Sequence, residues 1–246
     1  MISFDPKTAA IVDKHGKNLL IRSNTLGHEG HFAYHELEKA LGINFAHHRF
    51  INICMMDCAD ERKEWSLEFE AFEQNPDIFP EIRYPHFDKG WNPRKLWGTK
   101  VKTKHSMRHG AFIWWPISGL RRYVTPPEMM RKETWDFPGL INYMIELFKS
   151  PEPTIVAFHC RLGVDRTGVL HAAYLMRNKN YNVEKALCCA GQATWFGYPN
   201  TVYSQLLSVY DKMLKERKHN DHGRVSRTNR IRNGHSMEVL PLHHLQ

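Results

Sequence analysis

No apolar run in the chain approaches the roughly 18–20 residues needed to cross a bilayer, which excludes a helical membrane span. Cysteine is scarce: Cys54, Cys58, Cys160, Cys188 and Cys189 are the only five in 246 residues. An odd, small number in a chain of this length argues against a disulfide framework and for a reducing compartment. The opening segment from Met1 to Lys7 has no basic region running into an apolar core, so a cytoplasmic location is expected. Internal repeats and long linkers are lacking before residue 215, as is the compositional bias of a disordered or collagen-like chain.

What is present is an ordinary globular composition, 42% hydrophobic and 12% aromatic, with a formal net charge of +8. The charge is uneven. Between Lys215 and Asn233, seven Lys/Arg stand against Glu216 and Asp221, in a stretch without apolar periodicity. The expected organisation is therefore one domain over residues 1–214 and a basic, solvated tail over 215–246. Contact of that tail with nucleic acid or an acidic membrane surface is the lesser expectation.

Residues 17–23 have the pattern of a strand, and residues 30–41 that of a helix with Phe32, Leu37, Ala40 and Leu41 on its apolar side. Residues 49–55 form a second expected strand. Residues 57–108 are charged, aromatic and poorly periodic, either functional surface or helices without a legible stripe. Residues 111–117 predict a third strand and 118–135 a long loop holding Pro126 and Pro127. Residues 140–149 have helical spacing, and 154–158 predict a buried strand. Three helices follow, over 167–177, 183–192 and 202–215. Strands alternating with helices predict an α/β sheet whose ligand site lies at the carboxyl ends of its strands.

The end of the 154–158 strand is where the chemistry concentrates. There the sequence runs His159-Cys160-Arg161-Leu162-Gly163-Val164-Asp165-Arg166-Thr167-Gly168 directly into a helix. In such a loop successive backbone N–H groups converge on one point, and the helix dipole adds about half a positive charge. Both favour a thiolate at Cys160 and a bound phosphate beside it. Gly163 permits a tight turn. Arg166 presents a planar fork to two phosphate oxygens, and the hydroxyl of Thr167 falls near the sulfur and eases its departure from a phosphocysteine.

The run His159-Cys160, five residues, then Arg166-Thr167-Gly168 resembles the signature of the cysteine-dependent protein tyrosine phosphatase superfamily. Leu19-Leu-Ile-Arg-Ser-Asn24 followed by a helix is similar to the opening of its compact dual-specificity-like members. Arg166 to Leu170, Val183 to Leu187 and Val202 to Tyr210 resemble their helices after the active loop. The likeness covers residues 17–56 and 111–214. It implies a three-layer fold, a central mixed, mostly parallel sheet with helices on both faces. It also implies metal-independent, cofactor-free hydrolysis of phosphate monoesters through a phosphocysteine. Cys160 is then the nucleophile; Arg161, Leu162, Gly163, Val164, Asp165 and Arg166 bind the phosphoryl group, and His159 and Thr167 support. Gln205 matches a water-positioning glutamine or is an exposed helix residue.

The general acid stays open. Tyrosine-specific members carry Trp-Pro-Asp upstream of the thiol, whereas here Trp115-Pro116 is followed by Ile117. Asp136, in Trp135-Asp136-Phe137-Pro138, is the first candidate, on a lid able to reach the leaving oxygen; its alternative role is a helix N-cap. Asp165 is the second candidate and Glu128 the third. The expected substrate is phosphotyrosine or another phosphoprotein, helped by a slot of Trp114, Trp115, Trp135, Trp195 and Phe196. A phosphoinositide or inositol phosphate is the alternative, suited to Arg161, Arg121, Arg122, Arg131 and Lys132. A phosphate-reading pseudophosphatase and an RNA 5′-phosphatase acting through the basic tail are the rivals. His47, His48, Cys54 and Cys58 do not complete a metal-ligand set. Cys58 is a candidate resolving thiol for Cys160, and Cys188 and Cys189 are packing residues.

Overall fold

Strict alternation along three buried strands sets the architecture, and with it the direction of every side chain near Cys160. The computed structural model describes residues 3–28, 30–56, 61–75, 81–83, 110–117, 125–131, 135–192 and 204–217. A 3₁₀ turn at Pro6–Thr8 and strand β1 (Ala10–His15) lead into β2 (Asn18–Ser23). A two-stranded ribbon, β3 (Gly27–His28) with β4 (His31–Phe32), precedes helix α1 (Tyr34–Leu41) and strand β5 (Arg49–Cys54). Then come α2 (Arg62–Glu73), β6 (Glu81–Arg83), β7 (Ala111–Trp114), a short α3 (Pro126–Met129) and α4 (Phe137–Phe148). Strand β8 (Thr154–His159), α5 (Asp165–Lys179), α6 (Val183–Gln192) and α7 (204–217) complete the order.

The main sheet has the order β1-β2-β8-β5-β7-β6. Only β1 runs antiparallel to its neighbour; the other pairings are parallel. Strands β2 and β8 are buried at every position, as a sheet covered on both faces requires. On one face Ile21, Phe50, Cys54, Ile155 and Ala157 pack with Leu37 of α1 and Trp65, Phe69 and Phe72 of α2. On the other, Leu20, Ile53, Val156, Phe158 and Cys160 pack with α4, α5, α6 and α7. The expected three-layer α/β fold is the one observed. Strand β8 lies between β2 and β5, and its last residue, His159, is in register with Ser23 and Cys54. The chain leaves β2 for β5 and only later fills the gap with β8, so the carboxyl end of β8 lies where the strand order reverses, the place at which open α/β sheets bind ligands.

The boundaries have local causes. Asp136 caps α4, its Oδ1 accepting from the Gly139 amide at 3.0 Å, and Pro138 falls in the first turn. Helix α1 ends at Gly42, at φ 64°, and α5 at Asn180, at φ 55°. Edge strand β1 is tied to α5 by Asp13, whose Oδ2 accepts from Tyr174 Oη at 2.5 Å and pairs with Lys179 Nζ at 2.7 Å.

The structure corrects the sequence reading in three places. The helix expected from residue 30 starts only at Tyr34, because His31 and Phe32 pair with β3 and Phe32 reaches the core from that ribbon. Segment 57–108, read as functional surface or as helices without a legible stripe, does contain a helix, α2, with the short strand β6 after it. The loop expected over 118–135 contains the short helix α3. Helix α7 also runs to residue 217, so its last turn carries Lys215 and Arg217, which the charge pattern assigns to the tail.

Candidate active site

Because side chains alternate along β8, His159 points to the α2 face and Cys160, one residue later, to the α5 face. The chain then turns through residues 161–164 and enters α5 at Asp165. Gly163 makes the turn possible. It adopts φ 71°, and a Cβ there would lie 2.8 Å from the Ser23 carbonyl oxygen and the Asn24 amide. The loop thus lies directly on the end of β2, where the Thr25 amide also donates to the Arg161 carbonyl at 3.4 Å.

Cys160 is 2% exposed. Its amide donates to Thr167 Oγ1 at 2.9 Å, and that hydroxyl donates to Cys160 Sγ at 3.2 Å. A single side chain therefore fixes the backbone of the cysteine and a donor against its sulfur. Arg166, 8% exposed, is clamped by Glu61, with Nη1 donating to Oε2 at 2.6 Å and Nη2 to Oε1. Nη1 also reaches the carbonyls of Met55 at 3.1 Å and Ile117 at 3.3 Å. The fork is held by the ends of β5 and β7 and by the start of α2. Arg161 pairs through Nη2 with Glu64 Oε1 at 3.0 Å and stays half-exposed. Leu162 is 51% exposed at the tip of the loop.

Behind Cys160 lies a second polar cluster that sequence reasoning missed. Glu68 of α2 is fully buried. Its Oε1 accepts from His159 Nε2 at 2.8 Å and Asn52 Nδ2 at 3.2 Å, and its Oε2 from Thr25 Oγ1 at 3.0 Å and the Cys54 thiol at 3.8 Å. Cys54, Glu68 and His159 offer sulfur, oxygen and nitrogen within 4.8 Å of one another, a spacing that would also suit a metal ion; here hydrogen bonds satisfy the carboxylate. Burial, with Glu68 alongside, holds the Cys54 thiol well above its ordinary range, so it serves as a neutral donor. His47 and His48 precede β5 and Cys54 ends it, about 16–20 Å away along the strand, too far to share an ion.

The remaining candidates fall as follows. Asp136 takes the N-cap role, at φ 41°, with Trp135 carbonyl accepting from Trp115 Nε1 at 2.9 Å. Because α4 runs back along the sheet to β8, this cap stands at the same end of the sheet as Cys160. Asp165 opens α5 inside the loop, half-buried. Gln205 is exposed on α7. The aromatic slot loses Trp114 and Trp115. Trp114 is fully buried against Trp65, with Nε1 donating to the Met56 carbonyl at 2.8 Å, and Trp115 is 4% exposed. Both are core residues, since β7 is covered on both faces. Cys58, Arg121, Arg122, Lys132, Trp195, Phe196 and the Glu128 side chain lie outside the described residues. Cys188 and Cys189 are half-buried on α6, and Cys189 packs on the core.

The chain is similar to several solved structures. Tk-PTP in a mutant form is 11% identical, with a TM-score of 0.46, over 86% of this chain and 99% of that one. A mouse putative dual specificity phosphatase is 14% identical, with a TM-score of 0.46, over 87% and 92%. The core catalytic domain of the PP-IP phosphatase Siw14 from S. cerevisiae is 16% identical, with a TM-score of 0.39, over 88% and 93%. The phosphatase domain of Yvh1 from Chaetomium thermophilum and a human tyrosine phosphatase-like serine/threonine/tyrosine-interacting protein are also similar. No family model matches the sequence, and no curated protein matches it. Among the described residues no helix is long and apolar enough to cross a membrane.

Proposed function

We propose that the chain hydrolyses phosphate monoesters through a phosphocysteine. One arrangement carries the reading: a thiol at the end of a central strand, a hydroxyl donating to it, and a clamped guanidinium from the same short loop. Cys160 Sγ attacks phosphorus, and the bond from phosphorus to the leaving oxygen breaks as an acid protonates that oxygen. Water then attacks the phosphocysteine, with the same carboxylate taking its proton and the Thr167 hydroxyl easing the departure of sulfur. Arg166 and the loop amides hold the equatorial oxygens, so positioning and charge stabilisation supply most of the rate. Asp136 is the proposed acid, supported by its place at the carboxyl-end edge of the sheet; Asp165 is the second candidate.

The proposed substrate is a phosphotyrosyl or other phosphoprotein. Support comes from Arg161, the extra cation that a polyphosphorylated ligand would use, which is already paired with Glu64. A phosphoinositide or inositol phosphate is the second reading. It predicts that Glu64→Gln, by releasing Arg161, raises turnover of inositol polyphosphates relative to phosphotyrosyl peptide by several-fold. An unchanged ratio of kcat/KM values removes Arg161 from substrate choice.

The deciding experiment is hydrolysis of para-nitrophenyl phosphate across pH by wild type, Cys160→Ser, Asp136→Asn and Asp165→Asn. Loss of turnover in Cys160→Ser is expected, and the asparagine variant that loses the basic limb of the profile identifies the acid. Freshly reduced wild type that binds tungstate but turns nothing over would replace the enzyme with a phosphate-reading protein.

A further inference from the structure

Two arginines around the active loop each have a carboxylate: Arg166 has Glu61 and Arg161 has Glu64. Arg22 does not. It is fully buried near the end of β2, and alternation along that strand turns it to the α5 face, the face of Cys160. Its Nη2 donates to the Gly163 carbonyl at 2.7 Å and its Nη1 to the Ala190 carbonyl at 2.9 Å. Nη1 also meets His171 Nδ1 at 3.1 Å, and since a guanidinium only donates, that ring nitrogen accepts. Nε has no hydrogen-bond partner. Among the described residues no carboxylate is hydrogen-bonded or ion-paired to Arg22.

A guanidinium taken from water and given only carbonyls and a neutral ring is unfavourable unless a negative charge stands close. Burial accordingly pushes Arg22 down to about 10, and the one opposing influence is a charge on Cys160. His171 does not share the burden, because burial and Arg22 push it down to about 3 and it stays neutral. Asp165, the loop's own acid, opens α5 at the loop's far end.

We propose that Arg22 is the buried counter-charge of the anion in the active loop, and that through the Gly163 carbonyl it also fixes the turn in which that anion is held. The anion proposed for the free protein is a Cys160 thiolate; the extension to a bound phosphoryl group rests on the phosphatase reading. Arg22 touches neither sulfur nor substrate by hydrogen bond, so its role is positioning and electrostatic.

The test uses the full chain as wild type, Arg22→Met and Arg22→Lys, with Cys160→Ser as the blank. Iodoacetamide reacts with thiolate, so the rate of Cys160 alkylation at pH 6, read by peptide mass, reports the thiolate fraction. Arg22→Met is expected to slow it about tenfold, equivalent to one unit in the thiol equilibrium, and to weaken tungstate binding in parallel. Arg22→Lys, which keeps charge without the fork, is expected within about threefold of wild type in alkylation. Folded Arg22→Met that alkylates and binds tungstate as wild type does would overturn the proposal. Should Arg22→Met fail to fold, a tenfold loss in folded Arg22→Lys would overturn it as well. Hydrolysis of para-nitrophenyl phosphate is measured alongside. Slowed alkylation in a protein without turnover keeps Arg22 and sinks the phosphatase; turnover with unaltered alkylation does the reverse.

Discussion

Glu61 stands at the N-cap position of α2 and has both oxygens on the guanidinium of Arg166, so the aim of the proposed phosphate fork depends on a residue that contributes nothing to the loop's own sequence. Glu61→Ala should leave Arg166 charged but held on that side only by the Met55 and Ile117 carbonyls, without its bidentate clamp. Because a misplacement of about 1 Å costs about 10²-fold, kcat/KM is expected to fall by that order while the fold survives. Steady-state kinetics beside a melting curve checks both halves. Glu68 is a different case. Its carboxylate satisfies His159, Asn52, Thr25 and Cys54 at full burial, and Glu68→Ala would strand all of them. The expected loss is about 3–5 kcal/mol of stability, read as a lower urea midpoint with an unchanged slope.

Elements differ in how much of themselves they display in sequence. Strand β8 and the loop after it were legible because their logic is local: an apolar run, a glycine, and an arginine and threonine at fixed spacing. Helix α2 was not, although Trp65, Phe69 and Phe72 have helical spacing, because Glu68 occupies the buried stripe between them and charged residues fill the first turn. Glu61, Glu64 and Glu68 meet the active loop through partners about a hundred residues away, Arg166 lying 105 positions from Glu61. Strand β1 escaped notice for a related reason: as an edge strand it is half-exposed and carries little apolar pattern. It is anchored instead by Asp13. Burial raises that carboxyl, but hydrogen bonds from Lys179 and Tyr174 outweigh it, and the net shift is downward. A depressed folded-state value means stabilisation that is complete above the ordinary carboxylate range and lost as pH falls through the lowered one. Asp13→Asn should therefore cost about 1 kcal/mol at neutral pH, and the gap to wild type should close on acidification below about pH 4. A gap in melting temperature that is constant from pH 7 to pH 3 would show that the anchor is not ionic.

At the scale of the whole molecule, two cores press on one sheet, and the site is where both of them end. The α2 core supplies Glu61, Glu64 and Glu68; the α5 core supplies Arg22 and His171; the loop closes between them. Binding an oxyanion there should tighten contacts from both layers at once, so it should register in global stability rather than in local order alone. Mass action sets the size. A ligand at one hundred times its dissociation constant adds about 2.7 kcal/mol. For a chain of this length that corresponds to a rise of about 5–10 °C in melting temperature. Tungstate or phosphate should produce that rise in wild type and in Cys160→Ser, which keeps the loop amides and Arg166 but lacks the proposed nucleophile. Arg166→Met should abolish it. A rise that survives in Arg166→Met would place the anion elsewhere on a protein of net charge +8. A rise in Cys160→Ser with no turnover would separate holding the phosphoryl group from transferring it, which is the division of labour that the clamped fork and the buried thiol imply.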